Sequence, residues 1–230
     1  HRFSSNGKTT DNAGWYVLFT DGIAAGAFGC WREGVNIKWC SGDEAKLNQS
    51  QKHDLNLKIE EEKKQREHEE EINRTKARSK ATKIWEQSVK PPTDHPYLIS
   101  KNVKPHGLKL SRGKLIVPLY DQNQVIQSLQ FIGPDGEKRF LRGGLTKGCY
   151  FPIEGALDKI LYVAEGFATA ATVHEVTGSA VAVAFNANNL KPVAIALRAK
   201  FPNLEMVICA DDDHQTKGNP GIRKAREAAL

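Results

Sequence analysis

Paired metal-binding cysteines and long apolar runs are both missing from this chain of 230 residues. Its four cysteines form no Cys-x-x-Cys pair, and no histidines stand at zinc-finger spacing, so a zinc ribbon within the chain is not expected. No stretch approaches the roughly 18 apolar residues of a membrane-spanning helix, and no signal peptide is recognisable. We therefore expect a protein of a reducing, cytoplasmic compartment that needs no membrane.

Proline and glycine are also absent from residues 43–89, which are dense in Glu, Lys, Arg and Gln. This composition favours helix, and oppositely charged residues four apart support it. Apolar residues are sparse, so residues 42–90 are predicted to form one or two long exposed helices that pack only at their ends. A charged connector is the favoured interpretation, and a surface that binds a partner or a second copy is the alternative.

The first 41 residues have a different character. Segments such as residues 15–19 are aromatic and β-branched, and several glycines separate them. Strands prefer such side chains, and glycine suits the tight turns between strands. Residues 1–41 are therefore predicted to form a small β-rich module.

Two short apolar segments in the last third of the chain end in acidic residues. Residues 161–164 lead into Glu165, and residues 207–210 lead into three consecutive aspartates. Apolar segments alternate with helix-like segments over residues 157–230, which predicts a parallel sheet with flanking helices. Because ligands of such sheets bind at the carboxyl ends of the strands, the acidic residues are expected to surround one pocket.

The spacing of the aspartates selects the metal-binding candidates. Residues two apart on a strand face the same side, so Asp211 and Asp213 are expected to join Glu165 while Asp212 points elsewhere. A cluster of carboxylate oxygens suits a hard divalent cation, Mg²⁺ or Mn²⁺. Glu165 could bind this ion or act as a general acid or base. Gly166 leaves room for a phosphate or a metal-bound water near the backbone.

These acidic strand ends resemble the Glu-Gly and Asp-x-Asp motifs of the Toprim domain. The string EGFATA at residues 165–170 is similar to the EGYATA motif of DNA primases from satellite phages and conjugative plasmids, with Phe167 in place of tyrosine. The Gly-Asn-Pro-Gly turn at 218–221 is also similar to that group. The segments KLIVPLYD at 114–121 and VIQSLQF at 125–131 resemble paired strands of the related bacterial replicative primases.

The resemblance implies a mixed α/β and α+β architecture. A basic α+β primase subdomain is expected over residues 91–156 and a Toprim domain over residues 157–230, the latter without its usual last strand. Because the chain starts at His1 rather than at Met, it is expected to be a fragment of a larger protein.

The resemblance also implies an activity. We expect a metal-dependent nucleotidyltransferase that makes short RNA primers from ribonucleoside triphosphates on single-stranded DNA, in the bacterial cytoplasm and together with a replicative helicase. A Toprim nuclease is one alternative, because it uses the same acids. A non-catalytic module that binds single-stranded DNA is the other.

The basic residues are unevenly distributed, and the net charge of the chain is +6. Four of them stand close together around a Gly-Gly pair and just before the acidic strand ends, and are predicted to bind nucleotide or template: Lys138, Arg139, Arg142 and Lys147. Asn186 and Asn189 follow the apolar segment 180–184, at the same predicted sheet edge as the acids. They are predicted either to line the pocket rim or to cap the loop.

Overall fold

The computed structural model describes residues 1–7, 11, 13–20, 24–30, 33–41, 49–157, 160–212, 214–216 and 218–230. The chain divides into two compact units, residues 1–66 and 67–230. The boundary between these units falls inside a helix, so the finer division into four parts at residues 41, 90 and 156 stays a prediction. Within the described ranges, no helix combines the length and the apolar character that crossing a bilayer requires.

The first unit is built on a four-stranded antiparallel sheet. Its strands are β1 (Arg2–Phe3), β2 (Gly14–Phe19), β3 (Ala25–Cys30) and β4 (Val35–Cys40), hydrogen-bonded in chain order. The aromatic and β-branched segments therefore form strands, as the sequence indicates.

A single helix, α1 (Gln49–Gln87), forms most of the charged connector, and residues 42–48 of that connector lie outside the described residues. Every side chain from residue 63 to residue 73 is exposed, whereas Ala77 and Ala81 are buried. The helix thus packs at its carboxyl end, within the second unit, where apolar residues return to the sequence.

The second unit contains an antiparallel sheet preceded by the short helix α2 (Pro96–Lys101). Its strands are β5 (Lys109–Ser111), β6 (Lys114–Tyr120), β7 (Ile126–Ile132) and β8 (Lys138–Phe140), again in chain order. Because side chains alternate along a strand, Ile116 and Leu129 face one side and pack under Ala81 of α1, while Leu115, Val117 and Ile132 enter a separate core.

The rest of the second unit is a sheet of four strands in the order β12-β10-β11-β9. Strands β10 (Ile160–Ala164), β11 (Val181–Val183) and β12 (Glu205–Cys209) are parallel, as predicted, and β9 (Phe151–Ile153) is an antiparallel edge strand. Helices α3 (Phe167–Thr177), α4 (Leu190–Lys200) and α5 (Pro220–Ala229) flank the sheet. Gly178 ends α3 in the left-handed conformation, with φ of 70°, where a side chain would be strained.

The two sheets of the second unit share a core and a short bridge. Tyr120 and Tyr150 exchange backbone hydrogen bonds of 2.9 Å in both directions. Leu115 and Val117 of the antiparallel sheet lie in one apolar cluster with Phe167 of α3 and Val183 of β11. This packing holds the β8 strand beside the carboxyl edge of the parallel sheet.

Candidate active site

Glu165 and Asp211 follow neighbouring parallel strands at the same sheet edge. Strands β10 and β12 pair in a register that sets Ala164 opposite Cys209, so the two acids follow that pair by one and two residues. The hydroxyl of Thr169 donates a hydrogen bond of 3.4 Å to Asp211 Oδ1. Thr169 stands in the first turn of α3, so the amino end of this helix and both acids lie together.

Lys138 of β8 completes this group. Burial lowers the pKa of its ammonium group, the charge of Lys101 lowers it further, and the charges of Asp211 and Glu165 oppose both effects. Lys138 itself is solvent-exposed, so both acids and its ammonium group lie at an open surface of the sheet edge. A methyl group added at Gly166 would lie 3.6 Å from Lys138 Nζ, so this glycine, the lysine and the two acids face one space.

Asp212 takes a different direction from Asp211, as the spacing argument predicts. Asn219 Nδ2 donates a hydrogen bond of 2.7 Å to Asp212 Oδ1, and His214 Nδ1 lies 3.6 Å from Asp212 Oδ2. The Asn219 side chain also accepts from the backbone N–H of Ile222 and so caps α5. Asp212 therefore belongs to the loop before α5 rather than to the acid pair.

Asp213 lies outside the described residues, so its predicted place beside Asp211 stays a prediction. Across the residues that are described, no group of three or more metal-ligating side chains converges. The chemistry of the described pair nevertheless fits a hard cation, because Glu165 and Asp211 offer only oxygen and both act on the same ammonium group.

The thiols near this edge are neutral. Burial, with the charge of Asp211 as a second cause, raises the pKa of Cys209. Burial, reinforced by the charge of Asp121, raises the pKa of Cys149 to about 12. A neutral thiol is a poor nucleophile and a poor metal ligand, so neither cysteine is a candidate nucleophile or metal ligand at this edge.

A strained aromatic residue supports β8 beside the sheet edge. Phe185 follows β11, is buried, and has φ of 73°, a conformation that costs a non-glycine residue about 1 to 3 kcal/mol. Its ring meets Phe140 of β8 edge-on, with centroids 6.1 Å apart and planes at 71°. Phe140 stands two residues after Lys138 on the same face of the strand, so this contact helps to place the lysine beside the acids.

Asn186 and Asn189 take part in the loop structure at this edge. The Asn186 side chain accepts a hydrogen bond of 3.1 Å from the backbone N–H of Asn189 and caps the 3-10 helix Ala187–Asn189. Asn189 is 4% exposed, accepts from Gly148 N at 2.8 Å, and donates to the carbonyls of Cys149 at 3.0 Å and Ala184 at 2.8 Å. Of the two predicted roles, the structure shows the loop cap.

The predicted basic cluster is divided by the fold. Arg139 follows Lys138 on β8 and points to the opposite face of the sheet, where its guanidinium donates to Glu137 Oε1 from both Nε at 2.9 Å and Nη2 at 2.6 Å. Arg142 also lies on that side, and Lys147 is exposed in the loop that Asn189 holds. Lys138 and Arg139 thus lie on opposite faces, because consecutive strand residues cannot share a face, and the binding of nucleotide or template by the four residues stays a prediction.

Three contributors to the site were not anticipated from the sequence: Thr169, Lys101 and the Phe140–Phe185 pair. A signal existed for Thr169, which stands four residues after Glu165 and so one helical turn along the same motif. Lys101 lies near the site only because of the way α2 packs, and no local pattern in the sequence predicts this position.

Comparison with known proteins finds a family match in the parallel-sheet region. Residues 160–230 match the Toprim domain. The chain is 36% identical over its full length to a protein named DNA primase TraC from Escherichia coli, of which it covers 23%. A second Escherichia coli protein named DNA primase TraC is 35% identical over 97% of the chain, which covers 16% of that relative. The chain thus spans less than a quarter of the length of these relatives.

Among solved structures, the primase fragment of the bacteriophage T7 primase-helicase protein is similar with a TM-score of 0.42 and 20% identity. The likeness covers 57% of this chain and 58% of that chain.

Proposed function

We propose that this chain, whose residues 160–230 match the Toprim domain, is the catalytic part of a DNA primase. It synthesises short RNA primers on single-stranded DNA during replication of a plasmid or another mobile element, as part of a larger protein that works with a replicative helicase. The observation that carries this proposal is the meeting of Glu165, Asp211 and Lys138 at one sheet edge.

Glu165 and Asp211 would hold a divalent ion, Mg²⁺ or Mn²⁺, and Asp213 is proposed as a further ligand. When bound, such an ion activates the primer 3′ hydroxyl and neutralises charge on the phosphates of the incoming nucleotide. Thr169 keeps the Asp211 carboxylate oriented through its hydrogen bond. Acids positioned by a strand end and a helix start need little rearrangement to accept a cation.

Lys138 is proposed to bind the triphosphate of the incoming ribonucleotide. Its ammonium group lies within electrostatic reach of both acids, so a phosphate there would contact the lysine and the ion together. Gly166 leaves the space between them open. Lys147, carried by the loop that Asn189 holds, is proposed to contact template or triphosphate from the rim.

Primer synthesis with purified protein tests this proposal. The wild-type chain is supplied with single-stranded DNA, ribonucleotides and Mg²⁺ or Mn²⁺, and is compared with Glu165→Gln and Asp211→Asn. Each substitution removes one ligand charge, and we expect synthesis to fall by about 100-fold or more while DNA binding persists. Asp212→Asn is the matched control, because it makes the same change one residue away at a side chain held by Asn219.

Three outcomes would contradict the proposal. Degradation of the template in place of RNA synthesis would assign the acids to a nuclease. DNA binding without either reaction would leave a non-catalytic binding module. An equal loss of synthesis in Asp212→Asn and Asp211→Asn would show that the loop charge, rather than the Asp211 position, matters.

A further inference from the structure

A groove lies on the face of the β5–β8 sheet to which Arg139 points, opposite to Lys138. One wall is the carboxyl part of α1, which contributes Lys80, Ile84 and Gln87 at helical spacing. The other side is formed by the β5–β6 turn and the end of β8. The groove has a volume of about 540 Å³ and lies within residues 67–230, so it belongs to a single compact unit.

The lining of this groove is strongly cationic. It contains five basic side chains and no carboxylate: Lys80, Arg112, Lys114, Arg139 and Arg142. Arg139 is paired with Glu137, but the other four make no ion pair with any residue that the structure describes. Like charges gathered around one space repel each other, so the arrangement is complementary to a ligand that carries several negative charges.

The bottom of the groove is apolar and partly aromatic. Ile84, Phe131 and Leu141 lie among the charges, and these residues belong to the small core between α1 and the sheet. Cations along a groove with apolar and aromatic surface between them are typical of sites for single-stranded nucleic acid. The cations follow the phosphates, and the bases rest on the apolar surface.

We infer that this groove binds single-stranded DNA, and that it does so on the far side of β8 from the catalytic acids. The inference rests on the proposed function for the identity of the strand. It gives Arg139 and Arg142 a role separate from that of Lys138, and it makes the end of the long helix α1 a part of the DNA-binding surface. The groove holds the strand, and the acid pair performs the reaction.

Binding of a fluorescein-labelled oligo(dT) of about 16 nucleotides to the full chain tests this inference by fluorescence anisotropy. The groove variant is Arg112→Asn with Lys114→Gln, because asparagine tolerates the positive φ of 49° at residue 112. The matched control is Lys83→Gln with Lys191→Gln, two exposed lysines outside the groove. A second variant, Lys80→Gln, tests the helix wall without touching the turn.

We expect the groove variant to bind the oligonucleotide at least about tenfold more weakly than the control does. For the groove variant, the slope of log affinity against log salt concentration should become shallower by about 0.7 for each lost cation, or about 1.4 for the pair. Lys80→Gln should show about half of that change in slope. Circular dichroism melting of each variant separates lost binding from lost folding.

The inference is overturned if groove and control variants bind the oligonucleotide equally. It is also overturned if the groove variant weakens binding of a labelled ribonucleoside triphosphate rather than of the oligonucleotide, since that result marks a nucleotide site. A failure of the proposed function would give another result. Oligonucleotide binding would still depend on the groove residues, but no RNA would be made with any template. Primer synthesis that persists without groove-dependent binding would refute the groove alone.

Discussion

The two faces of the β5–β8 sheet carry different chemistry, although neighbouring residues of one short strand supply both. Lys138 points toward the parallel sheet and lies near two carboxylates, whereas Arg139 points toward α1 and a groove that other cations line. A lysine beside acids fits a site that holds a cation and phosphates together. Cations without acids fit a site for a phosphate backbone. Basic residues that cluster in the sequence therefore need not form one site in the fold.

Removal of the Lys138 ammonium group is expected to have the greatest consequence for activity. Lys138→Ala should lower the rate of primer synthesis by about 100-fold at saturating template, because it removes the charge proposed to bind the triphosphate. This loss corresponds to about 2.7 kcal/mol of transition-state stabilisation. Arg139→Ala should change that rate by less than about threefold and act mainly on template affinity. Steady-state kinetics with varied template and nucleotide measures both variants. Equal loss of rate in the two would refute the division of roles.

The next effect, at Asn189 on the acid side, is expected on stability rather than on the rate of synthesis. Asn189→Ala removes three hydrogen bonds and leaves buried backbone groups unpaired, so the free energy of unfolding should fall by about 2 to 4 kcal/mol. Asn186→Ala removes only a cap and should cost about 1 kcal/mol. Urea denaturation compares the two. If Asn189→Ala keeps full stability but loses nucleotide affinity, the rim role is correct and the cap role is secondary.

The smallest effect concerns the clamp between α3 and the segment that leads into β5. Glu175 accepts hydrogen bonds from Lys104 N at 2.8 Å and from the His106 ring at 2.5 Å. Burial alone would raise the pKa of Glu175, but these two contacts outweigh it and the pKa is lowered. The stabilisation is therefore present above the unfolded pKa of 4.5 and is lost as the pH falls through the lower folded value.

Glu175→Gln should accordingly cost about 1 kcal/mol at neutral pH, and the difference from wild type should shrink in acid. Thermal unfolding at several pH values measures it. Because this contact stabilises the unit as a whole, Glu175→Gln should affect primer synthesis and DNA binding equally. An effect on only synthesis or only DNA binding would show that Glu175 supports one face of the β5–β8 sheet more than the other. A difference in stability that grows in acid would contradict the assignment of the hydrogen bonds.

The order and the type of most helices and strands follow from local patterns in the sequence. The alternating apolar and helix-like segments over residues 157–230 form parallel strands and flanking helices, and the paired segments 114–121 and 125–131 form an antiparallel hairpin. Hydrophobic periodicity, helix-ending glycines and turn residues are local signals, so they do not depend on which elements pack together. The acid pair was also foreseeable, since strand ends in a parallel sheet share an edge.

Contacts between side chains of different helices and strands depend on the tertiary packing. The placement of Lys138, rather than Arg139, beside Glu165 depends on which face of β8 turns toward the parallel sheet. The buried, strained Phe185 and its contact with Phe140 contribute to that choice. Likewise, the groove exists because the buried Ala81 lets the end of α1 lie close against Ile116 and Leu129. Contacts between residues far apart in the chain arise from packing, and a local pattern does not encode which partner a face will find.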